Sequence, residues 1–179
     1  MLKIAIISPR VRKGRNSHRV ALYFDNLIKE LNLANPEIID LLEFNFPLFN
    51  ERLKYQESPL TGAVEYAKKI GSADGVIIIS PEYNGGVPAS LKNAVDLLTD
   101  EWSNKPVAFV PVSDGNFAGS QAIISLQFSL WKLGAVTVPG PMRIPNIKSA
   151  FDASGIPEDK PAMDKRAAAF VSQFLHRID

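Results

Sequence analysis

The sequence predicts an α/β domain with a parallel sheet covered by helices on both faces. Short apolar runs rich in Ile and Val, such as residues 75–79, alternate along the chain with longer segments of helical periodicity. Right-handed crossovers bring strands connected in this way into parallel alignment. The length of 179 residues, with 46% hydrophobic and 22% charged residues, suits a single domain over residues 1–179.

Five apolar runs predict the strands. They cover residues 2–7, 36–42, 75–79, 106–112 and 135–138. Their β-branched composition is typical of strands that are buried on both faces. The first run stops at Ser8 and Pro9, so it is too short for a signal peptide.

Helical periodicity fills the segments between these strands. The first predicted helix begins near Ser17, the second covers residues 61–70 before Gly71, and the third begins at Pro88. The fourth ends before Gly134, and the last covers residues 163–178. A long aromatic loop separates the second strand from the second helix, and residues 139–161 form the least regular segment. We expect the irregular segment to be mobile or to contact another subunit.

Five strands alternating with helices favour the flavodoxin-like strand order 2-1-3-4-5. In this order the loops after the first and third strands line one crevice at the carboxyl edge of the sheet, where such folds bind ligands. The third-strand loop contains Gly85 and Gly86, which allow close approach of the backbone to a flat ligand. The sequence therefore predicts a cofactor site between these two loops.

The loop after the first strand is basic. No acidic residue occurs from Ile4 to Phe24, and the segment carries Arg10, Arg12, Lys13, Arg15 and Arg19 together with Ser8, Asn16 and Ser17. Arginine side chains and the N-terminus of a helix favour a phosphate group. The alternative is a solvated loop in which Ser17 only caps the following helix.

Other sequence features exclude several classes of site. The chain lacks the P-loop and the Gly-x-Gly-x-x-Gly fingerprint, which favours a mononucleotide over a dinucleotide cofactor. It has no cysteine, and 20 basic residues balance 19 acidic ones, so we expect no thiolate chemistry, nucleic-acid partner or membrane partner. His18 and His176 are far apart in sequence, so we expect surface histidines and no metal site or Ser-His-Asp triad. Trp102 and Trp131 follow helical patterns and are interpreted as packing residues.

Several motifs together resemble one known family. The motif Pro81-Glu-Tyr-Asn-Gly85 and the run over residues 87–96 are similar to the signature of the NADPH-dependent FMN reductase family, which includes quinone, azo-dye and chromate reductases. The segment over residues 8–17 is similar to the phosphate loop of that family, although Ile7 stands where many members have glycine. The resemblance extends over nearly the whole chain.

The resemblance implies a set of residues that bind FMN. Its phosphate would be held by Ser8, Arg10, Arg15 and Ser17, with Asn16 beside them, and its ring would lie against Pro81, Glu82, Tyr83, Asn84 and Gly85. Ser113 and Gly115 in the loop after the fourth strand would supply a third contact. Two alternatives stay open, because Tyr83 also suits a packing role and Glu82 a structural one.

The implied function is an NAD(P)H-dependent oxidoreductase. The resemblance implies that NADPH or NADH passes a hydride to FMN, and that a quinone, free flavin, azo compound or similar acceptor then takes two electrons. The flavin carries this chemistry, so we expect no catalytic residue from the protein and no metal. The alternatives are a flavin-binding electron carrier or sensor, and a scaffold that has lost the cofactor.

The resemblance also implies self-association to a dimer or tetramer. The absence of cysteine fits a reducing compartment, so we expect a cytoplasmic protein. The helix after Pro88 and the aromatic residues Phe44, Phe46, Phe49 and Tyr55 are candidates for the contact surface, although core packing is the simpler role for them.

Overall fold

A computed structural model describes residues 1–9, 14 and 16–178, and its centre is a five-stranded parallel sheet. The strands are β1 (Lys3–Ser8), β2 (Asn35–Asp40), β3 (Gly75–Pro81), β4 (Pro106–Val112) and β5 (Val136–Thr137). Their order is β2-β1-β3-β4-β5, and every neighbouring pair is parallel. The predicted flavodoxin-like fold is confirmed.

Seven α-helices occur in the described part of the chain. They are α1 (Asn16–Glu30), α2 (Leu41–Phe44), α3 (Thr61–Ser72), α4 (Ala89–Leu97), α5 (Ser120–Lys132), α6 (Ile147–Ala150) and α7 (Lys160–Leu175). Short 3-10 turns at Leu53–Tyr55 and Asp100–Trp102 complete the regular structure. None of these helices is long and apolar enough to cross a membrane.

The hydrophobic core lies in two layers, one on each face of the sheet. Alternate residues of β1 point to opposite faces, so Ile4 and Ile6 pack against α1 and α7. Ala5 and Ile7 belong to the other layer, which is formed with α3, α4 and α5. Because β1 and β3 are buried on both faces, their sequences are apolar at nearly every position.

Several predicted boundaries were wrong because side chains outside the periodic pattern decide them. Helix α3 continues through Gly71 to Ser72, and Lys105 donates hydrogen bonds to the carbonyl oxygens of Gly71 and Ala73 at its end. Helix α7 starts at Lys160, because Asp159 accepts a hydrogen bond from the Ala162 amide and caps the helix.

The irregular segment before α7 is tied to the sheet. Ile144 pairs with Val112 beyond the end of β4, and the Ile144 amide donates to the Pro111 carbonyl at 2.9 Å. The segment then forms α6, which sequence periodicity did not predict because it spans only one turn. It thereby covers the carboxyl edge of β4, next to the predicted site.

Candidate functional site

Loops from three strands meet in one cavity of about 240 Å³ at the carboxyl edge of the sheet. The predicted site residues that line it are Asn16, Ser17, Pro81, Glu82, Tyr83 and Ser113. The parallel strands explain the convergence, since all their carboxyl ends lie on the same edge. Asp114 and Ile147 also line the cavity and were absent from the predicted set.

The first turn of α1 presents a buried hydroxyl group to this cavity. Ser17 is 1% exposed, and its Oγ has no hydrogen-bond partner among the described residues. The helix begins at Asn16, so Ser17 lies in the first turn, and its hydroxyl does not cap the helix as the alternative interpretation required. Because an unpaired buried hydroxyl is unfavourable, the site suits a guest with acceptor oxygens.

Ser8 is placed differently from Ser17. It is fully buried at the end of β1, and its Oγ lies 2.9 Å from His18 Nδ1. Ser8 does not line the cavity. The predicted phosphate ligands Arg10 and Arg15 lie outside the described residues.

The expectation of a surface histidine at position 18 was wrong. His18 is only 24% exposed at its side chain, and its Nδ1 also lies 3.7 Å from Asp40 Oδ2. A catalytic triad uses opposite ring nitrogens for serine and aspartate, whereas here both oxygens face Nδ1. The cluster of Ser8, His18 and Asp40 therefore lacks triad geometry.

The loop after β3 turns tightly at Asn84 and Gly85. Tyr83 and Gly86 exchange backbone hydrogen bonds of 2.8 and 3.0 Å around it. Asn84 has φ of 52° and Gly85 has φ of 79°, and positive φ at both central residues is the pattern of a type I′ turn. The amides of Tyr83 and Gly86 are therefore used within the loop, and those of Asn84 and Gly85 have no partner among the described residues.

Glu82 connects this loop to the next one. Its Oε2 accepts hydrogen bonds from the backbone amides of Gln121 at 3.0 Å and Ala122 at 3.1 Å. A carboxylate at the N-terminus of α5 also interacts favourably with the helix dipole. Glu82 thus holds the β3 loop against α5, which supports a structural role for a side chain that also lines the cavity.

The loop after β4 is fixed by its own side chains and by the segment before α6. Ser113 Oγ donates to the Gly115 carbonyl at 2.7 Å, and the Ser113 amide donates to the Ile144 carbonyl at 3.1 Å. Asp114 forms an ion pair of 3.0 Å with Lys148 at the rim. Gly115 is exposed and does not line the cavity, so the structure brings Ser113 but not Gly115 to the site.

Helix α4 anchors two further loops through polar side chains that the sequence analysis overlooked. Ser90 Oγ donates to the Pro9 carbonyl at 2.5 Å, at the start of the basic loop. Asn93 accepts from the Phe49 amide at 2.6 Å and donates to the Pro47 carbonyl at 2.8 Å. Their spacing of three residues puts both on one side of α4, and this spacing is the signal that could have revealed them.

A larger cavity of about 600 Å³ lies under the aromatic loop, and its described lining residues are all different from those of the smaller one. Its walls include Phe46, Phe49, Tyr55 and Leu60, together with Asn93 and Leu97 of α4. In the described part of the chain, no group of three or more His, Cys, Asp or Glu residues could hold a metal ion.

Comparison with known proteins assigns the chain to a family. The sequence profile of NADPH-dependent FMN reductases matches residues 2–147. The chain belongs to this family. As an FMN reductase family member it is an oxidoreductase that uses FMN and NAD(P)H, which confirms the function, enzyme class and cofactors predicted from the sequence.

Individual relatives agree with this assignment. The chain is 32% identical to a quinone reductase of Pseudomonas putida over 98% of its own length and 91% of the relative. It is 35% identical to an NAD(P)H-dependent FMN reductase of Nectria sp. over 73% of its own length and 68% of the relative. The solved structure of a flavoenzyme NAD(P)H:(acceptor) oxidoreductase from Paracoccus denitrificans has a similar fold, with a TM-score of 0.83, 24% identity, and coverage of 99% of this chain and 97% of that chain.

The cavity fits the cofactor of the FMN reductase family. An unpaired buried hydroxyl at Ser17 and the N-terminus of α1 suit a phosphate group. Asn84 and Gly85 do not line the cavity, but they directly follow its wall residue Tyr83, and their amides, which have no partner among the described residues, suit the polar edge of a flavin ring. The fit rests on polar groups that find no partner among the described residues.

Proposed function

We propose that FMN binds in the cavity between the first turn of α1 and the loops after β3 and β4. The observation that carries this proposal is that Ser17 lines the same cavity as Tyr83 and Ser113 while its buried hydroxyl lacks a partner in the described part of the protein. Asn16 and Ser17, with Arg10 and Arg15 from the loop before them, would hold the phosphate, and Ser8 at the end of β1 would lie behind them. Residues 81–85 would border the ring, and Ser113, which donates to the Gly115 carbonyl, would complete the site.

The protein residues in this proposal bind and orient the cofactor. When bound, FMN supplies the redox chemistry, with a hydride accepted from NADPH or NADH and two electrons passed to an acceptor. The Asn84 and Gly85 amides would donate to the ring where negative charge develops, and the type I′ turn holds them in place before binding.

A quinone is the proposed acceptor, with free flavins and azo compounds as further candidates. The similarity to a quinone reductase over nearly the whole chain favours a quinone. A flavin-binding carrier or sensor would use the same cavity without turning over a nicotinamide cofactor.

Anaerobic spectroscopy tests this function. Protein reconstituted with FMN should show the flavin absorbance bands, lose them when NADPH is added without oxygen, and regain them when a quinone is supplied. Unchanged absorbance after NADPH addition would contradict the reductase and support the carrier. Failure to retain FMN on a desalting column, under conditions where the protein is folded, would contradict the proposed site.

We also propose that the protein self-associates through α5. Ile124, Phe128 and Trp131 lie on one side of this helix and are 65%, 61% and 55% exposed, and Phe117 just before it is 87% exposed. Exposed apolar patches of this kind mark interaction surfaces in soluble proteins. The expectation that Trp131 is a packing residue was wrong, whereas Trp102 is fully buried as expected.

The surface predicted from the sequence is less suitable for this contact. The apolar stripe of α4 is buried in the core, and Phe44 and Phe46 stack on each other and pack against Tyr66. These contacts favour the core-packing alternative for α4, Phe44 and Phe46. A homodimer or tetramer acting in the cytoplasm is the assembly we propose, and the absence of cysteine suits a reducing compartment.

A further inference from the structure

A polar cluster lies directly behind the proposed phosphate site. Ser8 ends β1, Asp40 ends β2, and these two residues are paired in the register of the two strands. His18 extends from the first turn of α1 toward both, with Nδ1 at 2.9 Å from Ser8 Oγ and 3.7 Å from Asp40 Oδ2. Three elements of the fold therefore meet at one imidazole ring.

Burial restricts the side chains of Ser8 and Asp40, and a backbone hydrogen bond also fixes the carboxylate of Asp40. Ser8 is 0% exposed and Asp40 is 6% exposed. Asp40 Oδ1 accepts from the Leu42 amide at 3.1 Å and so caps α2, which leaves Oδ2 on the side of His18. Because these groups are held in place, the ring they contact is fixed too.

The charges indicate which atom carries the hydrogen. A carboxylate only accepts hydrogen bonds, so a nitrogen that faces it is favoured as N–H. His18 Nδ1 then donates to Ser8 Oγ, and the hydrogen bond joins the first turn of α1 to the end of β1. Ser17 is the residue immediately before His18; it lines the cavity, and its buried hydroxyl is unpaired among the described residues.

We propose that His18 is a positioning residue for the FMN phosphate. By tying the first turn of α1 to β1 and β2, it holds the Ser17 hydroxyl at the point where the phosphate binds. The inference rests on the proposed function, because it requires the phosphate at this turn. His18 acts through Ser17 and does not itself take part in the redox step.

Binding of FMN and of riboflavin to the apoprotein tests the inference, because riboflavin lacks the phosphate. Flavin fluorescence titrations would compare the wild type with His18→Leu, His18→Asn and the distant control His176→Leu. His18→Leu should weaken FMN binding about tenfold, the loss expected for one hydrogen bond to a charged group, and leave riboflavin binding unchanged. His18→Asn keeps an N–H donor at the position of Nδ1 and should bind FMN as the wild type does.

The route through Ser17 has its own test. Ser17→Ala should lower the affinity for FMN by a similar factor and leave riboflavin binding unchanged. The double variant His18→Leu/Ser17→Ala should lose no more FMN affinity than Ser17→Ala alone. Additive losses of FMN binding free energy in the double variant would show that His18 does not act through Ser17 and would overturn the proposal. Equal losses for FMN and riboflavin in His18→Leu would also overturn it, because they would indicate a general structural role.

A spectroscopic measurement keeps the proposal testable if His18→Leu does not fold. Nitrogen-15 NMR of the wild type at neutral pH should show His18 Nδ1 protonated, and an unprotonated Nδ1 would overturn the proposal. A wild type that binds FMN no more tightly than riboflavin would instead contradict the proposed phosphate site, so the two failures are distinguishable.

Discussion

At the scale of single residues, the loop after β3 requires glycine at position 85 because of its backbone conformation, and not because a side chain would lack space. A Cβ atom at this position would meet nothing within 4 Å, yet its φ is 79°. Gly85→Ala should therefore lower the free energy of unfolding of the apoprotein by about 1 kcal/mol through backbone strain alone. Urea denaturation measures the change.

Gly115→Ala is a matched control for this prediction. A Cβ atom at Gly115 would also enter open space, but this glycine is not among the residues with positive φ. Its substitution should leave stability unchanged or raise it slightly, because alanine reduces the entropy of the unfolded chain. Equal losses of unfolding free energy in Gly85→Ala and Gly115→Ala would show that the positive φ of the turn does not cause the loss.

Tyr66 carries a buried hydroxyl that the fold does not satisfy. The residue is 0% exposed, its hydroxyl has no hydrogen-bond partner among the described residues, and burial raises its pKa above the ordinary value of 10.0. Tyr66→Phe should raise the free energy of unfolding at pH 7 by about 1 kcal/mol, because it removes an unpaired polar group. A loss of stability would indicate that the hydroxyl is hydrogen-bonded in solution.

The raised pKa of Tyr66 also predicts how stability changes at alkaline pH. Ionisation of Tyr66 leaves the free energy of unfolding unchanged below the pKa of tyrosine in the unfolded chain, about 10, and lowers it as the pH rises above that value. The decrease follows because the unfolded chain ionises first. Tyr66→Phe should reduce this alkaline loss, whereas Tyr55→Phe, at a residue that is 63% exposed, should leave it unchanged.

At the scale of helices and loops, Glu82 couples the loop after β3 to α5. Its carboxylate accepts from two amides of the first turn of that helix. Glu82→Ala should lower the free energy of unfolding by about 1 to 2 kcal/mol, and Glu82→Gln by less, because glutamine retains an acceptor but no charge. Urea denaturation would compare both with Glu158→Ala at an exposed position, where little change is expected.

Most elements of the fold were predictable because burial on two faces leaves a strong pattern. The runs over residues 75–79 and 106–112 are apolar in sequence and almost completely buried in the structure. The ends of helices were less predictable, since they depend on contacts distant in sequence. Lys105, for example, lies immediately before β4 and donates hydrogen bonds to carbonyl oxygens at the end of α3.

The residues of the candidate site also divide into those that the sequence predicted and those that it did not. Ser17, Tyr83 and Ser113 were predicted to converge because parallel strands end on one edge, and they line one cavity. The contact between His18 and Asp40 was not predicted, because it depends on strand register and on the direction of the first turn of α1. Ile147 was missed because its one-turn helix is too short for a periodic pattern.

At the scale of the whole molecule, the sheet is covered by helices on both faces, but α5 is apolar on its outer side as well. Its inner residues Ile123, Leu126 and Leu130 belong to the core. Its outer residues include Phe128 and Trp131, which are more than half exposed. A helix that is apolar on two sides indicates a second surface that becomes buried on association.

Charge placed on this outer side should therefore prevent association without unfolding the monomer. Phe128→Glu should shift sedimentation equilibrium at micromolar concentration from a dimer or tetramer to a monomer, because a carboxylate is costly to bury in an apolar interface. Leu31→Glu provides the control, since Leu31 is 45% exposed at the end of α1 and outside the proposed contact. A wild type that sediments as a monomer would contradict self-association, whereas an unchanged oligomer in Phe128→Glu would place the contact on another surface.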